Sequence, residues 1–77
     1  DISLNNRGTI LYNKKRYSDA QMDYSRAIEL NPKGSYYLNR SFCYFELGDL
    51  ARAKTDAQMA LQKGIAVDTS YLRSVDL

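Results

Sequence analysis

The sequence predicts an all-α fold: two antiparallel helix pairs stacked as a short α-solenoid, closed by a short C-terminal capping helix. Three observations carry this. The chain matches itself when slid by 33 residues. Its apolar residues recur at steps of three and four, the helical period. Gly, Pro and capping residues fall between the segments so defined. The 77 residues suffice for one domain with a thin core, spanning residues 1–77: repeat one at about 2–33, repeat two at about 34–64 and the cap at about 68–76.

The self-match is positional. Asn6-Arg7-Gly8 falls on Asn39-Arg40-Ser41, Leu11-Tyr12 on Tyr44-Phe45, Tyr17 on Leu50, and Ala20 on Ala53. Tyr24 falls on Ala57, and Ala27-Ile28 on Ala60-Leu61. Small and bulky-apolar positions agree while intervening polar residues differ, as two copies of one packing unit require.

Ser3 is placed to cap the first helix, where Leu4, Leu11 and Tyr12 share a stripe with Gly8 as its gap. Asn13 to Arg16 is a polar, basic exit. Ser18-Asp19-Ala20-Gln21 reads as a capping box opening the second helix, continued by Ala20, Tyr24, Ala27 and Ile28. Asn31-Pro32-Lys33-Gly34 stops it, because Pro cannot continue a helix and disfavours it one residue earlier. The third helix runs from about Ser35 to Leu47 with Tyr37, Ser41, Tyr44 and Phe45 on its stripe. Gly48 supplies a left-handed C-terminal position. Asp49 caps the fourth helix, which carries Leu50, Ala53, Ala57, Ala60 and Leu61 and ends at Gly64. Asp68 caps a short fifth helix to about Asp76, and Tyr71, 34 residues after Tyr37, makes it the opening of a third copy.

Helix pairs approach closely only where side chains are small. Gly8 and Ser41 are expected to face Ala20 and Ala53, and Ala27 and Ala60 to meet the first helix of the next unit. Tyr17, Tyr24, Tyr37, Tyr44 and Tyr71 fall on packing positions. One unit cannot bury its own apolar face, so stability comes from stacking, with the fifth helix covering the exposed flank.

Composition excludes much chemistry. There is no His, so no imidazole base or ligand, and one Cys, so no internal disulfide or multi-Cys zinc site. No metal or cofactor is expected. Cys43, between Phe42 and Tyr44, reads as a buried small hydrophobe, and no acid–base constellation can be assembled, so the chain reads as non-enzymatic. A net charge of +2 is too weak to argue for nucleic acid. Lys14-Lys15-Arg16 reads as cations at a helix C-terminus. Asp19, Asp23 and Glu29, among Arg26 and Lys33, read as a solvated face. The longest apolar run, Phe42 to Phe45, is far short of a membrane span. The lone Cys fits a reducing compartment such as the cytoplasm. A chain beginning with Asp1 reads as a piece of something longer.

Gly8, Tyr17, Ala20, Tyr24, Ala27 and Pro32, and then Tyr37, Ser41, Tyr44, Gly48, Leu50, Ala53 and Ala60, resemble the tetratricopeptide repeat. The resemblance covers about residues 2–63 as full repeats and 68–76 as a partial capping helix. Departures are Lys15 where the family favours Gly, Ala57 where it favours an aromatic, Gln62-Lys63 for an acidic-Pro ending, and Arg7 and Arg40 for a usual Leu.

The resemblance implies a concave groove, lined by the first helix of each pair, that binds a peptide or partner protein. By position it would be formed by Asn5, Asn6, Thr9, Tyr12 and Asn13, then Leu38, Asn39, Phe42, Phe45 and Glu46, with Leu72 and Arg73 closing one end. One subclass of the family grips the C-terminal carboxylate of heat-shock chaperones with five residues. Asn39 and Arg73 match that clamp, whereas Asn5 and Thr69 stand for its lysines and Thr9 for an Asn. The lost charge disfavours an acidic tail. The expected function is a non-enzymatic protein–protein interaction module of a larger protein. The alternative is a structural spacer or a self-association domain forming homo-oligomers.

Overall fold

The computed structural model describes residues 2–77, leaving Asp1 outside. Five helices follow one another: α1 (Ile2–Asn13), α2 (Tyr17–Leu30), α3 (Gly34–Glu46), α4 (Leu50–Gln62) and α5 (Thr69–Ser74). No strand occurs among the described residues. α1 packs on α2, α2 on α3, and α3 on α4, which is the order of stacked hairpins. The result measures 29 × 24 × 17 Å.

The helix exits share one device. At each of the first, third, fourth and fifth, a residue in the left-handed region reverses the chain: Lys15 (φ 63°), Gly48 (φ 82°), Gly64 (φ 84°) and Asp76 (φ 68°). The amide after each donates back five residues: Arg16 N to Leu11 O at 2.9 Å, Asp49 N to Tyr44 O at 2.9 Å, Ile65 N to Ala60 O at 3.0 Å, and Leu77 N to Leu72 O at 2.8 Å. These bonds occupy carbonyls that the helix end would leave unpaired. α2 ends differently, at Leu30 just before Asn31-Pro32, as the Pro dictates.

Two capping expectations hold and two are corrected. Asp49 Oδ1 accepts from Arg52 N at 3.2 Å, and Asp68 Oδ1 accepts from Ser70 N at 3.0 Å. Ser3, however, lies within the first turn of α1, which begins at Ile2. Ser18 likewise lies inside α2, whose N-cap is Arg16 with no side-chain capping bond. The tight reversal at Lys15 restarts the helix early and sets the Tyr17 ring edge-on to Tyr12, centroids 5.2 Å apart. An Arg16–Asp19 ion pair of 2.7 Å flanks this start, with the acid in the first turn where the helix dipole favours it. α5 is also shorter than expected, ending at Ser74, because the left-handed Asp76 turns the tail back and buries Val75.

The small residues let the helices of each copy approach closely. Ser41 faces Ala53, donating to its carbonyl at 2.6 Å. Gly8 makes room for Tyr24, since a Cβ there would lie 2.8 Å from the Tyr24 ring. Where the second copy has Ala57 for Tyr24, the space is shared by Val75 and Tyr71 of the C-terminal segment, packed with Ala53 and Ala57. Ala27 meets α3 through Tyr36, as stacking requires. Tyr36, not Tyr37, is the buried member of that pair. Leu50 and Leu61, placed on the stripe by spacing, are exposed.

Asp23 is a further correction. It is buried, not solvated, and binds Arg7 through two bonds, Nε to Oδ2 at 2.7 Å and Nη2 to Oδ1 at 2.8 Å. The second copy repeats the arrangement 33 residues on, with Arg40 donating to Asp56 twice at 2.8 Å. The Arg standing where the family favours Leu is thus neutralised by its own hairpin partner, satisfying a buried carboxylate.

Candidate partner-binding groove

α1 and α3 are the first helices of the two hairpins, and one side-chain bond spans them: Asn39 Nδ2 donates to Asn5 Oδ1 at 2.9 Å. Both residues are half-buried. Thr9, exposed one turn further along α1, donates to the Asn5 carbonyl at 3.0 Å and shares a 2.9 Å hydrogen bond with the Tyr24 hydroxyl. Tyr12 is half-buried, while Asn6 and Asn13 are exposed.

On α3, Leu38, Phe42 and Phe45 are half-buried and Glu46 is exposed. Phe42 and Phe45 meet Tyr71 of α5 edge-to-face, with centroids 4.6 and 5.6 Å apart. This geometry suits the ring quadrupoles. The Tyr71 hydroxyl shares a 2.6 Å hydrogen bond with Ser41 Oγ, which locks the cluster to the hairpin. Leu72 packs half-buried near Phe45, and Arg73 is exposed. The structure therefore brings together Asn5 with Asn39, and Phe42 with Phe45. Tyr71 joins them as a ring that spacing had assigned to packing alone.

Burial governs ionisation here. Tyr12 is pushed up to about 12, chiefly by burial and then by the Glu46 carboxylate. Burial raises Tyr71 as well, opposed by its bond to Ser41. Cys43 is fully buried, and that burial pushes its thiol up to about 12, so it is an inert hydrophobe at neutral pH.

The face is open. Three shallow hollows of about 330, 380 and 270 Å³ lie away from these residues and are lined by residues such as Arg7, Met22 and Asp23, or Ile2, Asn31 and Tyr36. None of these linings contains a groove residue. Such a surface suits a length of chain better than a small molecule, which calls for a concave pocket. Among the described residues no group of three or more His, Cys, Asp and Glu side chains could hold a metal ion. Among them, too, no helix is long and apolar enough to cross a membrane.

Two hairpins related by 33 residues, stacked with their first helices side by side, define a helical-repeat module. Models of the tetratricopeptide repeat match residues 2–33 and 34–68, and the chain belongs to that family. The tetratricopeptide repeat is a protein–protein interaction module, and the chain carries two copies of it.

Among similar proteins is sperm-associated antigen 1 of Mus musculus, 38% identical over 61 residues, covering 78% of this chain and 7% of that protein. Mitochondrial import receptor subunit TOM70 of Saccharomyces cerevisiae is 33% identical over 61 residues, 79% of this chain and 10% of that one. Hsp70-Hsp90 organizing protein 2 of Arabidopsis thaliana is 34% identical over 68 residues, 87% and 11% respectively. The chain thus spans about a tenth of the length of these relatives. No solved structure gives a significant match.

Proposed function

We propose that the α1–α3 face binds an extended or helical peptide segment of a partner protein, within a larger parent protein. The observation that carries this reading is an amide pair beside a ring cluster on one open face. Asn39 donates to Asn5, which leaves the Asn5 Nδ2 donor and the Asn39 Oδ1 acceptor for a peptide carbonyl and amide. The half-buried rings of Tyr12, Phe42 and Phe45 offer apolar anchors, with Leu38 on α3 and Arg73 at one end. By their names, two relatives organise Hsp70 with Hsp90 or serve as a mitochondrial import receptor, tasks that involve other proteins. An acidic chaperone tail is a poor fit, because Asn5 and Thr69, standing where the clamp has lysines, supply no positive charge.

Peptides selected from a random displayed library test the reading. Asn39→Ala and Phe42→Ala should each weaken the selected peptides about tenfold, with helicity by circular dichroism nearly unchanged. Unchanged affinity in both folded variants contradicts the groove, and unfolding of both makes these residues core.

Self-association is the second reading. Ile2, Ile10, Met22 and Leu30 are each more than half exposed, and none belongs to the groove. A light-scattering mass that stays monomeric as concentration rises would dispose of it.

A further inference from the structure

Glu46 ends α3 one turn beyond Phe42. It is exposed and has no ion-pair partner among the described residues. Its carboxylate adds, after burial, to the upward pKa shifts of Tyr12 on α1 and Tyr71 on α5, so its field reaches both helices. The chain's own cations cover other tyrosines. Arg40 lies 5.6 Å from the Tyr37 ring and 5.7 Å from Tyr44, Arg52 lies 5.9 Å from Tyr44, Lys63 5.8 Å from Tyr37, and Lys33 5.7 Å from Tyr36. Among the described residues no cation lies over Tyr12, Phe42, Phe45 or Tyr71. Arg73, the basic residue of this end of the groove, is exposed and neither stacks on these rings nor pairs with Glu46. Electron-rich ring faces beside an uncompensated carboxylate attract a cation, and most strongly a planar guanidinium.

We propose that the α3–α5 end of the groove is a subsite for a basic side chain of the partner segment, arginine or lysine, seated against the Phe42, Phe45 and Tyr12 rings and paired with Glu46. This rests on the groove reading and adds a charge preference opposite to that of an acidic-tail clamp.

The test titrates the nitrogen-15-labelled chain with blocked pentapeptides, Gly-Gly-Xaa-Gly-Gly, with Xaa as Arg, Lys, Gln or Glu. The Arg and Lys peptides should shift the Phe42, Phe45, Glu46 and Tyr71 amides saturably, and added salt should weaken the effect. Glu46→Gln, at an exposed position, should bind them about three- to tenfold more weakly. Equal shifts from the Gln or Glu peptide, no shifts from the basic ones, or an unaltered response in Glu46→Gln would each overturn the subsite. Library-selected peptides separate the two readings. Sensitivity to Asn39→Ala without any preference for basic residues keeps the groove and sinks the subsite. Basic pentapeptides at Glu46, with selected peptides on α2 or α4, do the reverse.

Discussion

Lys15 holds a backbone conformation that L-residues adopt at a cost of about 1–2 kcal/mol. Its φ of 63° matches Gly48, its counterpart 33 residues on, at 82°. Lys15→Gly should raise stability by about 0.5–1 kcal/mol, the relieved strain being partly offset by glycine's freedom in the unfolded chain. Urea unfolding measures this, and an unchanged or lower midpoint would contradict it. This strain was legible as a missing Gly in a repeated turn. Other details were not. Ser18 looks like a cap because its hydroxyl suits that role, but the left-handed turn at Lys15 starts α2 at Tyr17. Tyr36 and Tyr37 are adjacent, and only the packing of α3 on α2 buries the former, its hydroxyl left without a hydrogen-bond partner. In the groove, the positions of Asn5 and Asn39 were legible from the repeat, but the bond between them needs the distance from α1 to α3.

Between helices, the two Arg–Asp pairs are chemically alike and differently placed. The Arg40 side chain is 20% exposed and that of Asp56 6%, whereas Arg7 is 67% exposed. Arg40 also donates to Ser25 of α2 at 3.2 Å, so it ties the second hairpin to the first. Arg40→Ala should cost about 2–4 kcal/mol by stranding a buried carboxylate. Arg7→Ala should cost clearly less, since the Arg7 side chain is largely exposed and water can take its place beside Asp23. Chemical denaturation of the two variants checks the order, and equal losses would deny Arg40 its role between repeats. The 16-residue Arg-to-Asp spacing stands in both copies of the sequence, but a search for apolar periodicity passes over charged residues and places Asp23 in solvent.

At the scale of the whole molecule, stability should be flat near neutral pH and fall at both extremes. Arg7 holds the Asp23 carboxyl below the usual carboxylate range. A lowered value contributes stability above the unfolded pKa near 4, and that stability is lost as pH falls through the folded one. Cys43 and Tyr12 are raised from 9.0 and 10.0 to about 12. Their contribution is complete below those unfolded values and is lost as pH rises towards the folded ones. Melting temperatures across pH should therefore drop below about 4 and above about 9; a decline centred near neutrality would contradict this. The architecture was readable because two copies of one pattern reinforce each other. The C-terminal segment was readable only in outline, since a partial copy offers one match, Tyr71 with Tyr37.

The claim on which most depends is that a partner's chain lies across α1 and α3. An amide chemical-shift map of the labelled chain with its tightest library-selected peptide tests it directly. The account predicts shifts concentrated at Asn5, Thr9, Tyr12, Asn39, Phe42 and Phe45. Shifts concentrated on exposed α2 and α4 residues such as Met22 and Gln58, with α1 and α3 undisturbed, would contradict it.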